Sequence, residues 1–102
     1  MVTTSCVSTK VDGTDYTIEY EMTQNGEEDD SENPAEYGIR CRLYEREVTV
    51  DSKEVKGVTS ERWLATKIFQ LLEKNQVFPI HLKDIIEDLL VLEYEEKTYR
   101  YL

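Results

Sequence analysis

Hydrophobic and polar residues alternate with a period of two in the first half of the chain and follow a helical period in the second. The sharpest local signal is Asp12-Gly13, set between Cys6-Val7-Ser8-Thr9-Lys10-Val11 and Thr14-Asp15-Tyr16-Thr17-Ile18-Glu19-Tyr20. A two-residue Asp-Gly loop is a preferred hairpin turn because both central positions need positive φ. Pairing Val11 with Thr14 sets Thr9 opposite Tyr16, Val7 opposite Ile18 and Ser5 opposite Tyr20. The other face then takes Cys6 with Glu19, Ser8 with Thr17 and Lys10 with Asp15. One face is mostly apolar and the other polar with an opposite-charge pair, as half-buried antiparallel strands require. A slip of one residue destroys that sorting.

Alternation resumes after residue 35. Tyr37, Ile39, Cys41 and Leu43 fall on one face, and Gly38, Arg40, Arg42 and Tyr44 on the other. Val48 and Val50 share a parity with each other but not with that first set, and Val55 and Val58 do not share one, so a turn or bulge must intervene. Two placements stand open. A turn at Glu45-Arg46 pairs Leu43 with Val48, Cys41 with Val50 and Arg40 with Asp51. A turn at Asp51-Ser52-Lys53 has the better turn residues.

Two helical stripes follow. Thr59 or Ser60 can cap a helix with Glu61 in its first turn, at the positive end of the dipole. Leu64, Ile68, Leu71 and Leu72 keep the rhythm of a core stripe, flanked by Trp63 and Phe69. Lys74-Asn75 suits its end, with asparagine able to take the left-handed conformation. Pro79 opens a second helix carrying Leu82, Ile85, Ile86, Leu89 and Leu90, with Lys83, Asp84, Glu87 and Asp88 opposite. The tail from Glu93 to Leu102 mixes Glu and Tyr and fits either a helical extension or an edge strand.

These elements predict a single α+β domain over residues 1–102. An antiparallel sheet of three to four strands, built from two hairpins, covers about residues 4–23 and 36–57. Two amphipathic helices, about 60–75 and 79–92, pack on one of its faces. The length of 102 residues suits one modest core.

Charge changes the picture in one place. Net charge is −10, and six acidic residues without a basic one lie between Glu27 and Glu36, which leaves −4 for the rest. Residues 24–35 therefore read as a solvated loop. Nucleic-acid binding is disfavoured, because neutralising phosphates needs an excess of lysine and arginine on one face. A helix-turn-helix reading fails likewise: the second helix would present Asp84, Glu87 and Asp88 to phosphates. No apolar run approaches the ~20 residues of a membrane span. The amino terminus lacks a basic segment followed by an apolar one, so no signal peptide is expected and the expected compartment is the cytoplasm.

The central motifs carry a resemblance. Tyr37-Gly38-Ile39 and Pro79-Ile80-His81-Leu82-Lys83-Asp84-Ile85-Ile86-Glu87-Asp88-Leu89-Leu90 resemble a family of small uncharacterised proteins, a domain of unknown function, from clostridia and related Gram-positive bacteria. The likeness covers roughly residues 10–92. The chain departs from it at Leu89, where many members carry an aromatic residue, and in its tail beyond residue 92. The resemblance implies a bacterial cytosolic protein of this architecture and carries no activity.

Candidate chemistry is thin. His81 is the sole histidine, and no nucleophile or carboxylate stands at telling spacing from it, so it reads as structural. With Cys6 and Cys41 apart, the chain lacks the clustered ligands of a zinc site. The acidic run lacks the spaced ligands and fixed glycine of an EF-hand. Cys6 and Cys41 read as reduced thiols in the expected compartment. No catalytic residue, metal or cofactor is assigned. Trp63, the seven tyrosines and open strand edges instead suggest an interaction module. The expected partner is another protein or a second copy as a homodimer, with Trp63, Asp84, Glu87 and Asp88 as contacts. The alternative is a small-molecule or cation-binding module with the ligand between sheet and helices.

Overall fold

The Asp12-Gly13 turn folds as its sequence requires, with φ of +49° and +81°. The computed structural model describes residues 3–100, and side chains over residues 3–93. The turn joins β1 (Thr3–Val11) to β2 (Thr14–Asn25), and every pair in their register, from Val11 with Thr14 to Ser5 with Tyr20, is the one the alternation predicts. β3 (Glu36–Glu45) and β4 (Val48–Thr59) complete a four-stranded antiparallel sheet in the order β1-β2-β3-β4.

Neither expected placement of the second turn is right. The turn residues are Arg46 and Glu47, with φ of +49° and +68°, so Glu45 pairs with Val48. Left-handed φ on both central residues matches the twist of the strands, which lets the hairpin close without asparagine or glycine. Two irregularities then re-phase β4. Val50 is an extra residue between the Tyr44–Thr49 and Leu43–Asp51 pairs, so Cys41 faces Lys53 and Arg40 faces Glu54. The second lies between Ile39–Val55 and Tyr37–Thr59 and contains Gly57 at φ +60°. It explains why Val55 and Val58 disagree in parity. Opposite it, a β-carbon on Gly38 would sit 2.8 Å from the Val55 carbonyl oxygen and 2.9 Å from the Thr23 hydroxyl. Only glycine lets these strands approach there.

β4 runs to Thr59, so the expected caps are replaced. α1 (Arg62–Lys74) has Glu61 at its cap position with no side-chain cap bond, while the Thr59 hydroxyl accepts the Glu61 N–H at 3.1 Å. At the far end Asn75 keeps negative φ and donates its amide N–H to the Leu71 carbonyl at 2.7 Å, and Gln76 takes the left-handed conformation instead. Pro79–His81 form a 3-10 turn, and α2 (Leu82–Arg100) runs past residue 92 into the expected tail. Glu and Lys are good helix formers, and neither Gly nor Pro interrupts the segment. The last two residues of that tail lie outside the described residues.

The helices cover one sheet face. Ile18, Tyr20, Met22, Tyr37, Ile39 and Cys41 meet Leu64, Ala65, Ile68, Phe69, Leu72, Leu82 and Ile86 in one buried cluster. Burying each such large side chain contributes about 1.5–3 kcal/mol before the entropy of ordering is counted. The Tyr20 hydroxyl donates to the Val77 carbonyl at 2.8 Å and the Cys41 thiol donates to the same oxygen at 3.7 Å, which ties the connector after α1 to the sheet. Cys6 stands on the opposite, exposed face, so the thiols are separate and free. The acidic segment is exposed as expected but begins at Gly26, and the Asp30 carboxylate folds it by accepting the N–H groups of Glu32 and Asn33 at 2.9 and 3.2 Å.

Candidate interaction surface

Three surfaces remain uncovered: the outer sheet face, the sheet edges and the solvent side of the helical layer. On the outer face, register places Glu19 opposite Arg42, and Glu21 and Glu54 on either side of Arg40. Arg42 meets Glu19 at 2.9 Å, while Arg40 meets Glu21 at 3.2 Å and Glu54 at 3.1 Å. The hydrogen bond to Glu19 raises the Arg42 pKa further, so the guanidinium is permanently charged. These side chains satisfy one another in a cross-strand ladder, so most of the face's charge is balanced from within. Sequence reading sorted Arg40 and Arg42 onto this face; pairing their charges with Glu19 and Glu21 would have fixed the β2–β3 register.

The helical layer is different. Lys67 of α1 meets Glu93 of α2 at 3.0 Å, and Leu71 and Leu89 line one groove, so the helices run antiparallel. The groove, of about 130 Å³, is walled by Leu64, Ile68, Leu71, Leu89 and Leu92. One of its apolar walls stands in water: Leu92 is 56% exposed, and the neighbouring Val91 of α2 is 55% exposed. Trp63, half exposed, stands one turn of α1 before Lys67, at the end of the layer where α2 finishes. Asp84, Glu87 and Asp88 are all exposed and share one stripe over the first turns of α2. The structure thus unites the three carboxylates and sets Trp63 at the opposite end of the layer. Val91, Leu92 and the groove were missed. The interruption of the apolar stripe by two further apolar residues after Leu90 was their signal.

His81 is exposed at the end of the 3-10 turn and donates its backbone N–H to the Phe78 carbonyl at 3.0 Å. Among the described residues no group of three or more His, Cys, Asp or Glu is placed to hold a metal ion, and no helix is long and apolar enough to cross a membrane. The Tyr37 hydroxyl donates to Glu28 at 2.5 Å, and that bond raises its pKa. Arg62 lies 3.9 Å from the same carboxylate, so the acidic segment is anchored beside the start of α1.

The model of the Family of unknown function (DUF6514) matches residues 1–92, and the chain belongs to that family. The match begins nine residues before the span its motifs suggested, so it takes in the whole first strand. No curated protein and no solved structure matches the chain.

Proposed function

We propose that this protein is a non-enzymatic interaction module that docks a partner on its helical layer. The carrying observation is the open α1–α2 groove with Leu92 of its wall exposed. At about 130 Å³ the groove lies well below the ~300 Å³ from which small-molecule sites begin. It suits one or two apolar side chains of a protein partner. The Asp84, Glu87 and Asp88 stripe favours a partner segment with basic flanks, since opposite charge steers encounter and sets register. The reading is therefore of an amphipathic segment, apolar on one side and basic at its border, acting with this chain in the bacterial cytosol.

The alternative of a ligand between sheet and helices finds less support. Ile18, Tyr20, Ile39, Ile68, Leu72 and Leu82 fill that layer.

Affinity capture with the wild-type chain and with Leu92→Glu tests the reading. A partner retained by the wild type, lost with Leu92→Glu and rebound after purification supports it. A captured protein indifferent to Leu92→Glu, or no captured protein, refutes it.

A further inference from the structure

The two sheet edges are not alike. β4 is interrupted at Val50 and around Gly57, and carries Asp51, Lys53, Glu54 and Lys56. Bulges and charges of this kind keep an edge from pairing with another chain. β1 has no bulge and a single charge, Lys10, over its nine residues: its pairing with β2 is unbroken from Thr3 to Val11, without proline or glycine. It is also the only one of the four strands without an acidic residue, in a chain of net charge −10.

The hairpin fixes which groups β1 offers. Around a two-residue turn the closing pair, Val11–Thr14, exchanges hydrogen bonds, and bonded and non-bonded pairs then alternate. The N–H and C=O groups of Thr4, Cys6, Ser8 and Lys10 therefore point away from β2, and all four residues are exposed.

We infer that β1 pairs antiparallel with β1 of a second copy, making one continuous eight-stranded sheet across a two-fold axis. The register that uses the whole strand centres on Val7, the midpoint of Thr3–Val11. Val7 then meets Val7 of the partner, Ser5 meets Thr9, Cys6 meets Ser8 and Thr4 meets Lys10. No like charges oppose one another. Each residue keeps its parity, so both helical layers lie on the same side and the partly buried Val7 pair extends the core. The four outward residues of each strand form about eight main-chain hydrogen bonds across the axis. A second copy fits better than an acidic or basic peptide because the edge is nearly neutral and its pairing is self-complementary. This surface is separate from the groove of the proposed function.

Sedimentation equilibrium and light scattering on the full chain provide the first test. The expected mass is twice the 12.0 kDa of one chain, falling to one chain on dilution. Ser8→Pro removes an outward N–H and leaves the β1–β2 ladder whole, so it should yield a monomer with unchanged circular dichroism. Should Ser8→Pro fail to fold, Val7→Cys in a Cys6→Ser background decides: at a non-bonded pair on the axis it should oxidise to a covalent dimer. A monomeric wild type at millimolar concentration overturns the inference. So does a dimer that a folded Ser8→Pro chain retains, or a Val7→Cys chain that forms no cross-link. A monomer that binds its partner in a Leu92-dependent way overturns the edge pairing and leaves the groove reading standing.

Discussion

Tyr20→Phe removes a single oxygen and so isolates the bond that ties the α1 connector to the sheet. Tyr20 is fully buried, and its hydroxyl donates to the Val77 carbonyl at 2.8 Å. The phenylalanine ring keeps the edge contact with Phe69, whose centroid is 6.5 Å away. Packing is thus conserved and the change reads the hydrogen bond. A neutral bond of this kind contributes about 1 kcal/mol net, but stripping a buried acceptor of its donor costs about 1–3 kcal/mol. Among the described side chains, the Val77 carbonyl then keeps the thiol of Cys41 at 3.7 Å, a weak donor. The expected loss is therefore about 1–2 kcal/mol, or roughly 4–8 °C of midpoint for each kcal/mol in a domain of this size. Urea titration followed by circular dichroism measures it, with the slope unchanged if only the folded state is affected. Because two donors share one acceptor, Tyr20→Phe and Cys41→Ala should couple by at least about 0.5 kcal/mol in a double-mutant cycle. A Tyr20→Phe chain within about 0.3 kcal/mol of wild type would refute the anchoring role, since leaving a buried acceptor without its donor typically costs about 1–3 kcal/mol.

Other consequences follow from particular positions. Gly38→Ala drives a β-carbon to 2.8 Å from the Val55 carbonyl oxygen and should cost about 1–3 kcal/mol in the same titration. Glu47→Gly relieves a left-handed residue at φ +68° and should stabilise by about 0.5–1 kcal/mol; a loss would place the turn elsewhere. A thiol reagent at pH 8 should label Cys6 and spare Cys41, which burial, aided by the Asp51 carboxylate, pushes up to about 12; equal labelling rates would contradict this burial. Linkage sets the alkaline limb. The folded Cys41 thiol holds its proton more tightly than the unfolded one, so its contribution is full below pH 9 and declines as pH rises from about 9 to 12. Melting midpoints across that window, compared with a Cys41→Ala chain, check the sign.

The first hairpin was legible because Asp12-Gly13 announces its turn and seven residues on each side then sort by face. The second was not. Its turn falls on Arg46-Glu47, whose side chains give no sign of positive φ, and two interruptions re-phase β4 relative to β3. Those are tertiary outcomes: Gly38 and Gly57 mark them in the sequence, but either glycine alone is equally consistent with a turn. Both helices were visible from their apolar stripes, whereas the extension of α2 to Arg100 rests on helix propensity that an edge strand rich in tyrosine could have outweighed. For the candidate surface, the carboxylate stripe of Asp84, Glu87 and Asp88 follows from helical spacing. The groove does not, since it depends on how two separate helices lie against each other.

Charge distribution links the two proposed surfaces. Six carboxylates gather between Glu27 and Glu36, and the outer-face ladder sets Glu19, Glu21 and Glu54 against Arg40 and Arg42. Like-charged copies repel over roughly a Debye length, about 8 Å at physiological salt, so approach is resisted wherever unpaired carboxylates face each other. β1, with Lys10 as its single charge, is where that resistance is weakest among the strands. The same acidity that discourages random association therefore leaves one orientation open to a second copy. It also leaves the carboxylate stripe of α2 free to attract a basic segment. If β1 pairs as inferred, both grooves of the dimer face the same side of the continuous sheet, and a partner with two such segments would bind with the advantage of a tethered second contact.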